Sequence, residues 1–254
     1  MREVDEALAT AFASRASTGR ATVPPAPHHG MRNRSALDAV AEPPRVQPVW
    51  PIVVLSLERL HGERFATTAD LLEKARDQDG RKVVLFTSCH RAEGRTTLVL
   101  TLARALAKRP GRTLLMDADL GAPMLARQLS LRPTVGLDDV VGHGRALADA
   151  LIAVDDPRLW LLPLRAPVVN PRAFLASPAW PCALARIRRE FDLVLIDGGP
   201  MFAGLSAARL HRSVDAAVLV YHRSLTAERG LTRAREVLNA GGIPLLGIAE
   251  TFAS

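Results

Sequence analysis

Ten residues, Ser88 to Thr97, read Ser-Cys-His-Arg-Ala-Glu-Gly-Arg-Thr-Thr and fall between a compact apolar run and an amphipathic one. A loop between a strand and a helix can cradle a phosphate, because backbone N–H groups and the positive helix N-terminus converge on the anion. Such a cradle also takes a glycine for close backbone approach, a cation for the outer phosphates and a hydroxyl for magnesium. Gly94 supplies the first, Arg95 the second and Thr96 the third, with Thr97 beside it; His90, Arg91, Ala92 and Glu93 complete the turn. Taken alone the motif is incomplete. Arginine stands where lysine is usual, and Cys89 where the first glycine is usual.

Two further apolar runs end in aspartate. One is Leu114-Leu115-Met116-Asp117-Ala118-Asp119-Leu120, the other Leu193-Val194-Leu195-Ile196-Asp197-Gly198-Gly199-Pro200. A lone aspartate after a strand is ordinarily a turn former or a helix cap. Two of them following a phosphate loop, in this order, form a more specific pattern, because carboxylates at strand ends can hold Mg²⁺ or its water shell opposite the phosphates. The candidate reacting centre is therefore Arg95, Asp117 and Asp197. The candidate metal ligands are Thr96, Asp117, Asp119 and Asp197, and the candidate nucleotide loop is His90 to Thr97. The seven histidines show no ligand spacing of the metal-hydrolase kind. Cys89 sits near a helix N-terminus, a place that can lower a thiol pKa, yet a small loop residue is the plainer reading.

The elements that must position these residues alternate. Apolar runs at Val83–Ser88, Thr113–Asp117, Leu159–Leu164, Leu193–Asp197, Ala216–Tyr221 and Leu245–Ala249 read as strands. Helical periodicity is predicted over Thr96–Lys108, near Ala179–Glu190 and near Ala227–Asn239. Ile52–Leu57 reads as a short strand or lead-in, followed by a helix over about Gly62–Arg76. Near-continuous apolar strands separated by helices imply an α/β fold, a mostly parallel sheet covered by helices on both faces. In such sheets ligands bind beyond the carboxyl ends of the strands, where the three motifs lie.

The 254 residues carry 48% hydrophobic and 23% charged side chains, ordinary globular composition. Aromatics are 4% with a single tyrosine, Tyr221, which argues against an aromatic platform for nucleic acid. No run approaches the ~18–20 apolar residues of a membrane span, and the first residues lack the apolar core of a secretory signal. Cytoplasmic localisation is the expectation. The net charge of +7 comes almost wholly from arginine, with only Lys74, Lys82 and Lys108 as lysines. Its short clusters read as solvated surface, leaving weak attraction to nucleic acid as the alternative. Residues 1–48 differ in character: Val4–Ser14 has helical spacing, and Thr18–Pro48 is rich in Pro, Ala, Arg and His. That composition predicts a disordered tether ahead of a domain over residues 49–254.

The ordered trio resembles the bacterial tyrosine kinases of capsular and exopolysaccharide synthesis, within the wider MinD/ParA-type P-loop ATPases. Their phosphate loop corresponds to Ser88–Thr97, their second motif to LLMDADLGAP at Leu114–Pro123, and their third to FDLVLIDGGP at Phe191–Pro200. Asn170–Ser177 echoes a further stretch, and the likeness runs from about Glu63 to Thr251. The resemblance implies a P-loop NTPase-like sheet and ATP with Mg²⁺ as ligands. It also implies a membrane-bound polysaccharide chain-length regulator as partner, with attachment to the inner membrane only through that partner.

The departures are as informative. Arg95 replaces the loop lysine, Arg91 and Ala92 replace Pro-Gly, and the extra lysine of the MinD/ParA branch falls at His90. The helix by which relatives assemble into rings would start at Glu63, but its arginines fall at Ala66 and Ala69. An aspartate past the third motif falls at Ser206, and the base-contacting asparagine at Thr251. The sequence ends Glu250-Thr251-Phe252-Ala253-Ser254, without the tyrosine cluster that the kinases phosphorylate. The expectation is nucleotide binding with reduced or altered turnover. The alternatives are a positioning ATPase of the MinD/ParA type, or a pseudokinase acting as a regulatory binding module.

Overall fold

A computed structural model describes residues 45–202 and 213–252. The helix expected at Val4–Ser14, most of the Pro-rich stretch after it, and Ser206 lie outside the described residues.

The strands are β1 (Val83–Ser88), β2 (Thr113–Ala118), β3 (Ile152–Ala153), β4 (Leu159–Leu162), β5 (Leu193–Gly198), β6 (Ala216–His222) and β7 (Leu245–Thr251). They form one sheet in the order β3-β4-β2-β5-β1-β6-β7, parallel except for β3, which runs antiparallel to β4 at one edge. The helices are α1 (Ile52–Asp79), α2 (Arg95–Ala107), α3 (Leu125–Gln128), α4 (Leu137–His143), α5 (Leu147–Ala150), α6 (Pro171–Ala176), α7 (Ala179–Glu190) and α8 (Glu228–Ala240).

Every residue of β1, β2 and β5 is buried, which is why these strands read as unbroken apolar runs rather than alternating ones. The period of two still operates, dividing their side chains between two cores. Val83, Leu85, Leu114, Met116, Val194 and Ile196 pack on one face with Trp180, Leu184 and Ile187 of α7. Val84, Phe86, Leu115, Leu193 and Leu195 pack on the other with Val99, Leu102 and Leu106 of α2 and with Leu72 of α1. Each fully buried side chain of this size stabilises by roughly 1.5–3 kcal/mol.

One expected element is corrected. Ile52–Leu57 is not a strand: it is the first part of α1, which runs to Asp79 with non-helical angles at His61. The β-branched run Ile52-Val53-Val54 imitates a strand, but only Val54 is buried, while Ile52 and Val53 are 83% and 50% exposed. No sheet edge receives this segment. Instead Glu58 accepts Arg104 Nε of α2 at 2.6 Å and also pairs with Lys108. Gly80, at φ +68°, ends the helix by donating its N–H to Arg76 O at 3.0 Å, the left-handed cap that glycine adopts without penalty. Val46, near the end of the Pro-rich stretch, already joins the sheet edge, its N–H donating to Ala153 O at 2.8 Å. Ala69, one of the two positions where ring-forming arginines would fall, is wholly buried against α2.

Candidate phosphate loop and its carboxylate cluster

The loop leaves β1 at Ser88 and enters α2 at Arg95. Two left-handed residues, Ala92 at φ +62° and Gly94 at φ +75°, fold it back on itself. A side chain at Gly94 would also stand 3.1 Å from the Phe252 ring and 3.2 Å from Thr251 Cβ, so glycine is required there for two reasons. Glu93 is turned inward and buried. Its Oε2 accepts His90 N–H at 2.7 Å, and its Oε1 accepts His222 N–H at 3.3 Å and the Thr226 hydroxyl. The Thr251 hydroxyl donates to Glu93 O at 2.7 Å, and the Ser88 hydroxyl to His90 O at 2.8 Å. The loop is thus tied to its own start and to the ends of β6 and β7. Above it opens a cleft of about 210 Å³, bordered by residues 91–97, Asp119, Met124 and Gln128.

Beneath the loop, parallel pairing of β2 with β5 sets Asp117 opposite Asp197. Asp117 is spent on backbone. Its Oδ1 accepts Asp119 N–H at 3.0 Å, and its Oδ2 accepts Met124 and Leu125 N–H at 2.9 Å each. Burial, and then the neighbouring Asp197 charge, push Asp117 up to about 7. Asp197 Oδ2 accepts the Thr96 hydroxyl at 2.7 Å.

Arg95 does not point at the mouth of the cleft. It is 8% exposed, and its guanidinium folds down onto the carboxylates. Nε donates to Asp197 Oδ1 at 2.7 Å, Nη1 to Ser88 Oγ at 2.9 Å and Nη2 to Asp119 Oδ2 at 3.3 Å. Burial opposes the charge, but the Asp197, Asp119 and Asp117 carboxylates together outweigh it and hold Arg95 above its usual range. Arg91, 51% exposed along its side chain, reaches the same Asp119 oxygen at 3.1 Å. Asp119 Oδ1 accepts Ala122 N–H at 3.1 Å.

Of the residues singled out from sequence, Arg95, Thr96, Asp117, Asp119 and Asp197 come together. Arg91, Ala92, Gly94 and Thr97 border the cleft. Glu93 borders it too, but its carboxylate works inside the loop, and the His90 ring lies beside Phe202, 5.7 Å between centroids. Thr226 and His222 were missed; they sit some 130 residues further along, and no local pattern marks them. Cys89 is buried, and burial pushes its thiol up to about 11, the opposite of activation.

The loop fits a phosphate: its turn is glycine-dependent, its helix starts at the cleft, and Arg91 stands at the rim. The carboxylates do not fit Mg²⁺ as arranged. Mg²⁺ demands near-octahedral oxygen ligands, whereas Arg95 occupies Asp197 Oδ1 and shares Asp119 Oδ2 with Arg91. Among the described residues no three His, Cys, Asp or Glu side chains are disposed to hold a metal ion.

A loop of this shape at the carboxyl end of β1, an interior strand of a mostly parallel sheet with helices on both faces, belongs with the P-loop NTPase fold in its MinD-like form. No protein-family model matches the chain. In sequence it is similar to bacterial tyrosine-protein kinases. YwqD of Bacillus subtilis is 29% identical over 197 residues, 77% of this chain and 83% of that one. The kinase domain of VpsO superposes with a TM-score of 0.68 at 25% identity, over 78% of this chain and 98% of that one. MinD from Pyrococcus horikoshii, solved with Mg-ADP, gives a TM-score of 0.54 at 23% identity over 66% and 68%.

Proposed function

We propose that this chain is a nucleotide-binding regulatory protein of exopolysaccharide or capsule export, which holds ATP or ADP at His90–Thr97 and does not phosphorylate its own tyrosine. The observation that carries this reading is the loop itself, shaped for phosphate and rigidly tied to β6 and β7 through Glu93 and Thr251. The closer and longer structural likeness to a kinase domain than to MinD favours it over a positioning ATPase.

Tyr221 supports the second half of the reading. It is the one tyrosine in the sequence, and its hydroxyl donates to Glu250 Oε2 at 2.8 Å, beside Arg223, which bonds the same oxygen at 3.1 Å. Burial, together with the Glu250 carboxylate, raises its pKa, making it a poorer nucleophile. Among the described residues no helix is long and apolar enough to cross a membrane. The partner in this reading, taken from the likeness to the bacterial tyrosine-protein kinases, is a membrane-embedded chain-length regulator.

Titration with a fluorescent ADP or ATP analogue tests the binding, and saturable binding competed by unlabelled nucleotide is expected. Phosphotyrosine appearing in the purified protein after incubation with Mg-ATP would overturn the regulatory reading. Co-purification with a membrane polysaccharide co-polymerase is the matching test of the partner. ATP-dependent DNA binding that weakens steeply with salt would instead indicate the positioning ATPase.

A further inference from the structure

We propose that Arg95 takes the place of the divalent metal, so that nucleotide binding at this loop does not depend on Mg²⁺. The inference rests on the nucleotide-binding reading above and concerns how that same site is charged. A lysine in this position ends in a compact ammonium; the Arg95 guanidinium is a planar fork able to hold several acceptors at once. Here the fork spans Asp197, Ser88 and Asp119. These are the oxygens to which a metal shell would have to attach.

Three observations separate a resident cation from a side chain waiting to swing out. Arg95 is almost wholly buried, as are Asp119 and Asp197. Pulling the guanidinium away would leave the buried Asp197 carboxylate without its closest countercharge and Asp119 with Arg91 alone, which is strongly unfavourable. The Thr96 hydroxyl, which would bind the metal, is itself donated to Asp197 Oδ2 at 2.7 Å, so the second oxygen of that carboxylate is engaged as well. Finally, a second arginine at the rim, Arg91, shares Asp119 Oδ2 and stands beside the cleft. The site therefore carries its own positive charge at both levels: Arg95 below the loop and Arg91 beside the phosphates.

The test is a pair of nucleotide titrations of the full chain, one with Mg²⁺ and one with excess EDTA, on wild type and Arg95→Lys. Wild type is expected to bind a fluorescent ADP or ATP analogue with Kd values within about threefold of one another, well under the tenfold that corresponds to 1.4 kcal/mol. Arg95→Lys, which shortens the fork to a point charge, is expected to bind at least tenfold more tightly with Mg²⁺ than without. Wild type binding tenfold or more tightly with Mg²⁺ overturns the proposal while leaving nucleotide binding intact. Metal indifference in both proteins also overturns it, since Arg95 would then not be the cause. Failure of both proteins to bind in either condition overturns the nucleotide reading itself, and this inference with it.

Discussion

Asp117 and Asp197 are register partners on adjacent parallel strands, β2 and β5, so the sheet itself brings two carboxylates side by side in a buried layer. Desolvation and the charge of Asp197 raise Asp117 to about 7, against about 3.9 for an unfolded chain. An acid whose folded pKa is raised binds more protons when folded, so its stabilising effect is complete below the unfolded value and is lost as pH rises through the folded one. Stability is expected to fall between about pH 4 and pH 7 with a slope on the order of 1 kcal/mol per pH unit at most. Urea denaturation across that range measures it. Asp117→Asn, neutral throughout, should flatten the slope; an unchanged slope in the variant would refute the assignment.

Glu93 is the internal tie of the phosphate loop. Glu93→Ala would strip acceptors from two part-buried backbone N–H groups and from the buried Thr226 hydroxyl, and an unpaired buried donor costs ~1–3 kcal/mol. A total loss of about 2–4 kcal/mol is expected from denaturant midpoints, with partial relaxation of the loop setting the lower figure. A loss below about 0.5 kcal/mol, the size of an ordinary surface change, would show that the loop stands without it.

Gly198 closes β5 where the strand passes β1. An added Cβ would meet Leu85 Cδ1 at 2.6 Å and Phe86 O at 3.1 Å, one a fully buried side chain and the other backbone. Gly198→Ala is expected to cost about 1–3 kcal/mol by overpacking. The next residue, Gly199, faces the Asp119 carboxylate, Oδ1 lying 3.2 Å from where its Cβ would be. Gly199→Ala should therefore disturb nucleotide affinity more than melting temperature. The reverse pattern in the two variants would contradict this division.

The two thiols should separate cleanly. Cys182 is exposed and Cys89 buried, with a pKa of about 11 that leaves on the order of one thiolate in a thousand at pH 8. A thiol reagent such as DTNB is expected to modify one cysteine rapidly in the native protein and the second only after unfolding. Rapid modification of both would mean that the loop opens readily.

The sequence made the strands legible wherever burial on both faces left continuous apolar runs, so β1 has the boundaries read from it and α7 likewise. It misled at Ile52–Leu57, because β-branched residues on an exposed helix face carry a strand-like composition without a strand's environment. The two-residue β3 and the short helices α3 to α6 are below the length at which periodicity speaks, and tertiary contacts alone fix them. The site was legible as a set of residues but not as a direction. Nothing in Glu-Gly-Arg-Thr-Thr says that the arginine folds under the loop rather than over it. That choice is made by Asp119 and Asp197, which arrive from other strands.

The order of the strands also shapes how the chain must acquire its structure. β1 lies between β5 and β6, pairing Val83 with Val194 and Val84 with Ala216, partners more than a hundred residues downstream. Its four apolar residues, Val83 to Phe86, therefore emerge from the ribosome long before either neighbour exists. Non-local parallel pairing of this kind slows folding and prolongs exposure of sticky surface. For this chain the hazardous interval lies during synthesis, when Val83–Ser88 has only α1 and α2 to cover it, and a chaperone that binds extended apolar segments would find its target there.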